Sequence, residues 1–186
     1  EALGLPVWRT EVRTIGDMAA LIREIGIATG QDAQPQALAV AERWSEIQAR
    51  FADRPTVSYF YQVAERPLYT VNGQHLISQG LSACGAQNVF GNLPSLAPQI
   101  NPEAVLQADP DVLFAGRVAK EDEPLAHWQS WPRLGAVDND AFFYLPADLI
   151  NRATPRLLDA VEIACALLDD YRSGARPAFE AGSNNS

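Results

Sequence analysis

The sequence predicts an α/β domain built on a mostly parallel sheet. From Thr56 onward, segments rich in β-branched and aromatic residues alternate with segments of helical periodicity, which is typical of parallel strands covered by helices. The apolar fraction of 47% and the charged fraction of 20% match ordinary globular domains, which excludes disordered and fibrous classes. No stretch approaches the roughly 20 consecutive apolar residues that a membrane span needs.

The segment before Thr56 is predicted to hold one short strand and two helices. The strand is Pro6–Arg9. Thr14 is a suitable N-cap for a first helix that ends near Thr29, where Gly30 supplies the left-handed stop. The second helix, about Gln36–Asp53, carries one apolar stripe: Val40, Trp44, Ile47 and Phe51. Three elements are too few to bury a core, so we expect this segment to belong to a neighbouring lobe that is otherwise missing.

From Thr56 onward the sequence predicts three strands and three helices. The strands are residues 56–62, 111–115 and 141–145. The helices are His75–Cys84, closed by Gly85; a helix from the Asn101 cap to about Ala108; and a last helix that Thr154 and Pro155 cap, ending near Arg172.

Both ends of the chain also carry information. The stretch from Ser173 to Ser186 is rich in Gly, Ser, Asn and Ala, and we predict a flexible tail there. The chain begins at Glu1 without a methionine or a signal segment, so we expect a processed or truncated piece of a longer protein.

The charge balance argues against a nucleic-acid partner. Lys and Arg total 14 and Asp and Glu total 23, which gives a net charge of −9. Such a chain is poorly suited to bind a phosphate backbone, because cationic side chains drive that affinity by releasing counterions.

Signatures of enzymes and metal sites are absent from the sequence. It has no Gly-rich phosphate loop, no G-x-S-x-G, no H-E-x-x-H and no C-x-x-C. We expect His75 and His127, the two histidines, to lie on helix surfaces rather than in a catalytic or metal site. Two histidines and two widely spaced cysteines make a closed zinc site improbable. We therefore predict a protein that is not an enzyme and has neither a metal nor a cofactor.

The two cysteines leave two alternatives open. Cys84, at i+7 from Ile77 and i+3 from Leu81, and Cys165, at i+4 from Val161, lie on the apolar faces of their predicted helices. They are either buried free thiols, which are common, or a disulfide, which an even count in an exported chain favours.

Candidate binding residues follow two of the predicted strands. Ligands of open α/β sheets bind outside the carboxyl ends of the strands. The first strand is followed by Arg66, Tyr69 and Asn72, and the last by Asp148 and Arg152. A carboxylate, a guanidinium and an aromatic ring suit a polar ligand with large flat surfaces. The alternative is an ordinary surface ion pair and an aromatic ring packed on its own loop.

Two further features have a plain structural explanation. Glu103 lies in the first turn of a predicted helix, where the helix dipole favours an acid. Trp128 and Trp131 either line a cleft or cover the edge of the core, and the core is the interpretation we favour.

Several motifs together resemble a known family. They are Asn72-Gly73-Gln74-His75-Leu76-Ile77-Ser78, Cys84-Gly85, Asn88-Val89-Phe90, Ala108-Asp109-Pro110 and Arg152-Ala153-Thr154-Pro155-Arg156-Leu157. In order and spacing they are similar to the second lobe of periplasmic cobalamin-binding proteins. These are the substrate receptors of cobalamin ABC importers, in the helical-backbone class (class III) of solute-binding proteins. The resemblance covers about Leu3 to Asp170.

The resemblance implies a domain organisation. The family has two Rossmann-like, three-layer α/β lobes joined by one long helix, with the ligand between them. Mapped onto this chain, residues 1–30 are the end of the first lobe and 31–54 the linking helix. Residues 55–172 are then the second, ligand-binding lobe, and 173–186 the tail. Most of the first lobe is then absent.

The resemblance also implies roles for single residues. Tyr69 matches an aromatic residue placed against the ligand, and Asp148 and Arg152 match a pair that meets its polar edge. Glu103 matches an acid that docks on the membrane permease. Cys84 and Cys165 match a disulfide within the lobe. A ligand-stacking tryptophan of some members is replaced here by Ala97.

The leading hypothesis is a monomeric periplasmic receptor that binds cobalamin and delivers it to the permease of an ABC importer in the inner membrane. A haem or ferric-siderophore receptor of the same fold is an alternative, in which Tyr69 or His75 would ligate haem. An enzyme that uses Asp148 with Arg152 is a second alternative, for which the sequence shows no nucleophile. A partner-binding domain without a small ligand is a third.

Overall fold

The computed structural model describes residues 7–175. Seven α-helices, one 3-10 helix and four β-strands lie within this range. The helices are α1 (Ile15–Thr29), α2 (Gln34–Phe51), α3 (Leu76–Ala83), α4 (Pro102–Ala108), α5 (Gly135–Asp138), α6 (Ala147–Ile150) and α7 (Leu157–Arg172), and the 3-10 helix is Ala126–Ser130. The strands are β1 (Val57–Gln62), β2 (Ala86–Asn88), β3 (Val112–Arg117) and β4 (Phe142–Pro146). No helix in residues 7–175 has the length and apolar character to cross a membrane.

The four strands form one sheet in the order β2-β1-β3-β4, and every neighbouring pair is parallel. This confirms the predicted α/β class with a mostly parallel sheet. The strand β2 was not predicted, because three residues are too few to show an alternating pattern. It extends the sheet on the far side of β1, where Val57 is the register partner of Ala86.

Both faces of the sheet are buried, which produces three layers. On one face, the Phe114 ring lies 5.3 Å from Phe143, which in turn lies 6.4 Å from Tyr171 on α7. On the other face, the Phe60 ring meets Trp128 edge-on at a centroid distance of 5.7 Å. Such edge-to-face pairs stabilise a core beyond the area that they bury.

The segment before the sheet packs on the lobe through α1 and α2. Thr14 caps α1 in a capping box with Asp17, and Gly30 ends the helix at φ 69°, as predicted. Arg43 of α2 reaches α7, where it bonds Asp159 and Glu162 at 2.7 Å each. The division of the chain into two lobes stays a prediction.

Three predicted boundaries are corrected by the structure. The predicted strand Pro6–Arg9 is not formed: residues 7–9 have no regular structure, and Pro6 lies outside the described residues. Val7 and Trp8 are exposed and pair with no strand of the described residues. Thr154 does not cap α7, because the helix begins at Leu157, its N-cap position holds Arg156, and no side chain makes a capping bond there. Residues 173–175 of the predicted tail still bond to the end of α7, and the rest of the tail lies outside the described range.

The helices α3 and α7 approach each other closely at Gly80. A Cβ on Gly80 would lie 2.5 Å from the Cγ2 of Val161, so only glycine allows this approach. One helical turn further on, Cys84 and Cys165 form a disulfide with their Cα atoms 4.9 Å apart. The structure therefore decides between the two alternatives for the cysteines in favour of the disulfide.

Arg172 reinforces the same contact at the end of α7. Its guanidinium donates to the Cys84 carbonyl at 2.6 Å and to the Pro55 carbonyl at 2.8 Å, and pairs with Asp169 at 2.9 Å. It thereby ties α7 to the end of α3 and to the turn before β1.

Replacing both Cys84 and Cys165 with alanine should lower the free energy of unfolding by roughly 2–5 kcal/mol. The physical reason is that the disulfide joins residues 81 positions apart and so restricts the unfolded chain. Chemical unfolding of the oxidised protein and of the double variant, followed by circular dichroism, measures the difference. A reducing agent should destabilise the parent protein and leave the double variant unchanged. Two free thiols in the unfolded, unreduced parent would contradict the disulfide.

Candidate functional site

The candidate site lies at the carboxyl edge, by which we mean the side of the sheet where the segments after Gln62, Asn88, Arg117 and Pro146 begin. Because all four strands are parallel, these segments leave the sheet at the same side. Tyr69 lies in the first segment, and Asp148 and Arg152 lie in the last. The topology therefore brings the three predicted ligand-binding residues to one side of the sheet.

The loop that carries Tyr69 is held by backbone hydrogen bonds. The Val63 N–H donates to the Tyr69 carbonyl at 2.9 Å, and the Tyr69 N–H donates to the Ala64 carbonyl at 3.1 Å. Tyr69 also forms an antiparallel bridge with Gln99, two residues from Ala97. The half-buried Tyr69 ring therefore stands on a small paired ribbon rather than on a free loop.

Asn72 and Arg66, the other two candidates on this loop, have contacts of their own. Asn72 is buried and holds the loop, donating to the Leu93 carbonyl at 2.9 Å. Arg66 is exposed and pairs with the adjacent Glu65 at 2.8 Å.

Asp148 and Arg152 lie four residues apart, but they do not pair with each other. The Asp148 carboxylate instead pairs with Arg156, at 3.0 Å between Oδ2 and Nη2. Both residues of the predicted pair are exposed. Sequence reasoning therefore placed the two residues on the correct segment and missed the arginine that Asp148 contacts.

Three exposed apolar side chains lie on the segments of the carboxyl edge. Val63 and Val118 directly follow the adjacent strands β1 and β3 and are 51% and 89% exposed. Leu96, 54% exposed, lies on the strip that pairs with the Tyr69 loop, where its carbonyl accepts from Asn72. Sequence reasoning missed all three; the one signal for Val63 and Val118, an apolar residue at the end of a buried strand, does not show that the side chain is exposed. Together they give the edge apolar surface that a ligand can cover.

Arg117, Tyr144 and Glu123 form a cluster near the ends of β3 and β4. The Arg117 guanidinium lies 4.6 Å from the centroid of the Tyr144 ring. The Tyr144 hydroxyl donates to Glu123 at 2.7 Å. Burial, and secondly this hydrogen bond, raises the pKa of Tyr144 far above its ordinary value, so the hydroxyl stays a donor.

Trp128 fastens the long segment after β3. Its indole N–H donates to the Gln62 side chain at 2.8 Å, and Gln62 donates to the Pro124 carbonyl at 2.7 Å. Trp128 is fully buried, which confirms the core interpretation, and Trp131 is half-buried against it. The buried Gln62 thus holds the segment against the end of β1.

Glu103 is exposed in the first turn of α4, after the Asn101 cap. Since α4 leads into β3, its first turn is at the carboxyl edge. The position is compatible with both the dipole explanation and the docking role that the resemblance implies.

The two histidines are half-buried, His75 at the start of α3 and His127 within the 3-10 helix. The His75 Nδ1 accepts from the Ile77 N–H at 3.2 Å and so caps α3. The His127 Nδ1 lies 3.9 Å from Glu65. Burial lowers the pKa of both histidines. Among residues 7–175, no group of three or more His, Cys, Asp and Glu side chains is placed to hold a metal ion.

Comparisons with known proteins agree with this geometry. A scan against models of protein families found no match. A vitamin B12-binding protein of Vibrio parahaemolyticus is 33% identical over 165 residues, which cover 87% of this chain and 59% of that protein. One from Vibrio cholerae is 32% identical over 169 residues, which cover 89% and 60%. The chain thus spans about three fifths of the length of these curated relatives.

Solved structures match as well. The crystal structure of the periplasmic vitamin B12-binding protein of Vibrio cholerae superposes with a TM-score of 0.80 and 31% identity, covering 92% of this chain and 68% of that one. An ABC-transporter substrate-binding protein of Listeria monocytogenes, 15% identical with a TM-score of 0.71, shares the fold alone.

The fold is that of the class III periplasmic binding proteins. Within that class, the chain belongs to the family of the vitamin B12-binding proteins. The members that it matches are binding proteins, which agrees with the prediction that the chain is not an enzyme.

Replacing His75 with asparagine should flatten the pH dependence of stability in the mildly acidic range. Burial holds the folded-state pKa of His75 below its ordinary 6.5, so the unfolded chain binds the proton more readily. The free energy of unfolding is therefore highest above about pH 6.5 and falls as the pH drops toward the lowered pKa. Urea unfolding between about pH 5 and 7.5 measures this slope. Asparagine keeps a capping oxygen without titrating. Parallel curves for parent and variant would contradict the assignment.

Proposed function

We propose that the chain is the second lobe and linking helix of a periplasmic receptor that binds cobalamin between two lobes and delivers it to an ABC importer. The relatives named as vitamin B12-binding proteins support this proposal. The observation that carries it is the carboxyl edge, where Val63, Leu96 and Val118 expose apolar surface on the same side of the sheet as Asp148 and Arg152.

The chemistry of these side chains suits a corrinoid. Cobalamin has a broad macrocycle with carboxamide groups around its rim. The apolar side chains and the Tyr69 ring would cover part of the macrocycle face, which removes apolar area from water. Asp148 would accept hydrogen bonds from carboxamide N–H groups, and Arg152 would donate to carboxamide oxygens. Binding and release need no bond to be made or broken, so we propose no cofactor.

The proposal includes a location and partners. The receptor would work in the periplasm as a monomer, and its partner would be the permease of a cobalamin importer in the inner membrane. Glu103 would meet cationic side chains of that permease, because it is an exposed acid on the side of the lobe that carries the carboxyl edge.

The chain alone should bind cobalamin weakly, and a protein that adds the first lobe should bind it far more tightly. One lobe leaves one face of the ligand in water, and each 100 Å² of apolar surface left there costs about 2.5 kcal/mol, or nearly two orders of magnitude in affinity. Calorimetry on both proteins in one buffer measures the difference. Sub-micromolar binding by the chain alone would contradict a site between two lobes.

Two controls accompany this measurement. In the two-lobe protein, Arg152→Ala should weaken binding by about 10- to 100-fold, the usual value of a charge-assisted hydrogen bond. Arg133→Ala removes another exposed arginine, beside α5 and far from the carboxyl edge, and should leave affinity unchanged. Haem serves as the competing ligand, and a clear preference for haem would favour the alternative receptor.

Replacing Glu103 with alanine should slow association with the permease and leave cobalamin affinity unchanged. A charge at the rim of an interface acts mainly on the association rate, and its effect fades with salt. Binding of the two-lobe protein to permease in nanodiscs, measured at low and high salt, tests this. Asp138→Ala removes an exposed acid at the opposite edge of the sheet and serves as the matched control. If the Glu103 and Asp138 variants associate equally fast, the helix-dipole explanation alone remains.

A further inference from the structure

The segment between β4 and α7 is closed by one ion pair. Arg156, the last residue before α7, places its Nη2 atom 3.0 Å from the Oδ2 of Asp148, in the first turn of α6. The two residues are eight positions apart, and Arg152 is midway between them. The pair therefore joins the two ends of the loop that carries Arg152.

Ile150 anchors α6 in the core, whereas residues 151–156, which include Arg152, are exposed. The backbone of the loop makes a succession of short turns: the Asn151 N–H donates to Ala147 at 3.2 Å, the Thr154 N–H to Arg152 at 2.8 Å, and the Leu157 N–H to Thr154 at 2.8 Å. Each of these bonds spans only two to four residues. Among side chains, the Tyr61 hydroxyl reaches Asn151 at a long 3.5 Å. Among residues 7–175, the Asp148–Arg156 pair is thus the one side-chain bond that joins the two ends of the loop.

The pair also orients the carboxylate. Arg156 engages Oδ2, and within residues 7–175 neither Asp148 Oδ1 nor the Arg152 guanidinium has a hydrogen-bond partner. Asp148 is therefore fixed through one oxygen and presents the other, while the cation of Arg152 stays available on the same loop. A carboxamide carries both an N–H donor and a carbonyl acceptor, so it can match an acceptor and a donor that one loop carries.

We propose that Arg156 is a positioning residue for the binding site: it fixes Asp148 and the loop of Arg152 without touching the ligand. This inference rests on the proposed function, since it names how Asp148 and Arg152 are prepared to meet a carboxamide of cobalamin. Arg156 meets Asp148 through one nitrogen of its planar guanidinium, whose fixed donor direction a lysine ammonium does not reproduce.

A double-mutant cycle in the two-lobe protein tests the proposal. Both residues are more than half exposed, so Arg156→Ala should weaken cobalamin binding by about two- to fivefold, the range of an exposed ion pair. In the Asp148→Ala background, Arg156→Ala should have no further effect. Arg156→Lys should restore only part of the affinity. A loss that persists in the Asp148→Ala background would mean direct contact with the ligand and would overturn the proposal, as would an unchanged affinity.

A measurement without ligand separates this inference from the proposed function. Amide hydrogen exchange at residues 151–154 should become faster in Arg156→Ala and in Asp148→Ala to the same degree, and no faster in the double variant. Arg133→Ala should leave the exchange unchanged. Unaltered exchange in Arg156→Ala would overturn the positioning role. Failure of the parent two-lobe protein to bind cobalamin would instead overturn the proposed function, whatever the exchange shows.

Discussion

The contact between α3 and α7 is the constraint on which the rest of the lobe depends. Gly80 allows the two helices to meet at a distance that no other residue permits, and the disulfide one turn later fixes the contact. Both helices begin at the carboxyl edge, α3 after the Tyr69 loop and α7 after the Arg152 loop. The contact between α3 and α7 therefore sets the distance between the two loops that carry the candidate ligand-binding residues.

The elements with local signals could be predicted closely from the sequence. Thr14 and Gly30 mark the two ends of α1 because caps act within a few residues, and Asn101 with Pro102 marks the start of α4. The start of α7 was misjudged because Thr154, a good cap in isolation, lies in a turn ahead of the helix, whose N-cap position holds Arg156. The disulfide could not be decided from the residues, since pairing depends on a helix contact that only the folded chain shows.

The candidate site, too, could be predicted from the sequence only in part. The carboxyl ends of parallel strands share one edge, so a coarse reading of the strands was enough to place Tyr69, Asp148 and Arg152 together. The sequence could not show that Asp148 pairs with Arg156, because the turns between α6 and α7 bring the two side chains together. Val118 was missed for another reason: a valine after a buried strand looks like the last residue of that strand until its exposure is seen.

The position of the disulfide in the chain has a topological consequence. Cys84 and Cys165 enclose β2, β3 and β4, and with them Leu96, Glu103 and the loop of Arg152. Tyr69 lies outside this covalent ring. A protease that cuts once anywhere between the two cysteines therefore opens the ring but releases no fragment, and the nicked protein keeps the mass of the intact chain plus one water until a reductant separates the pieces.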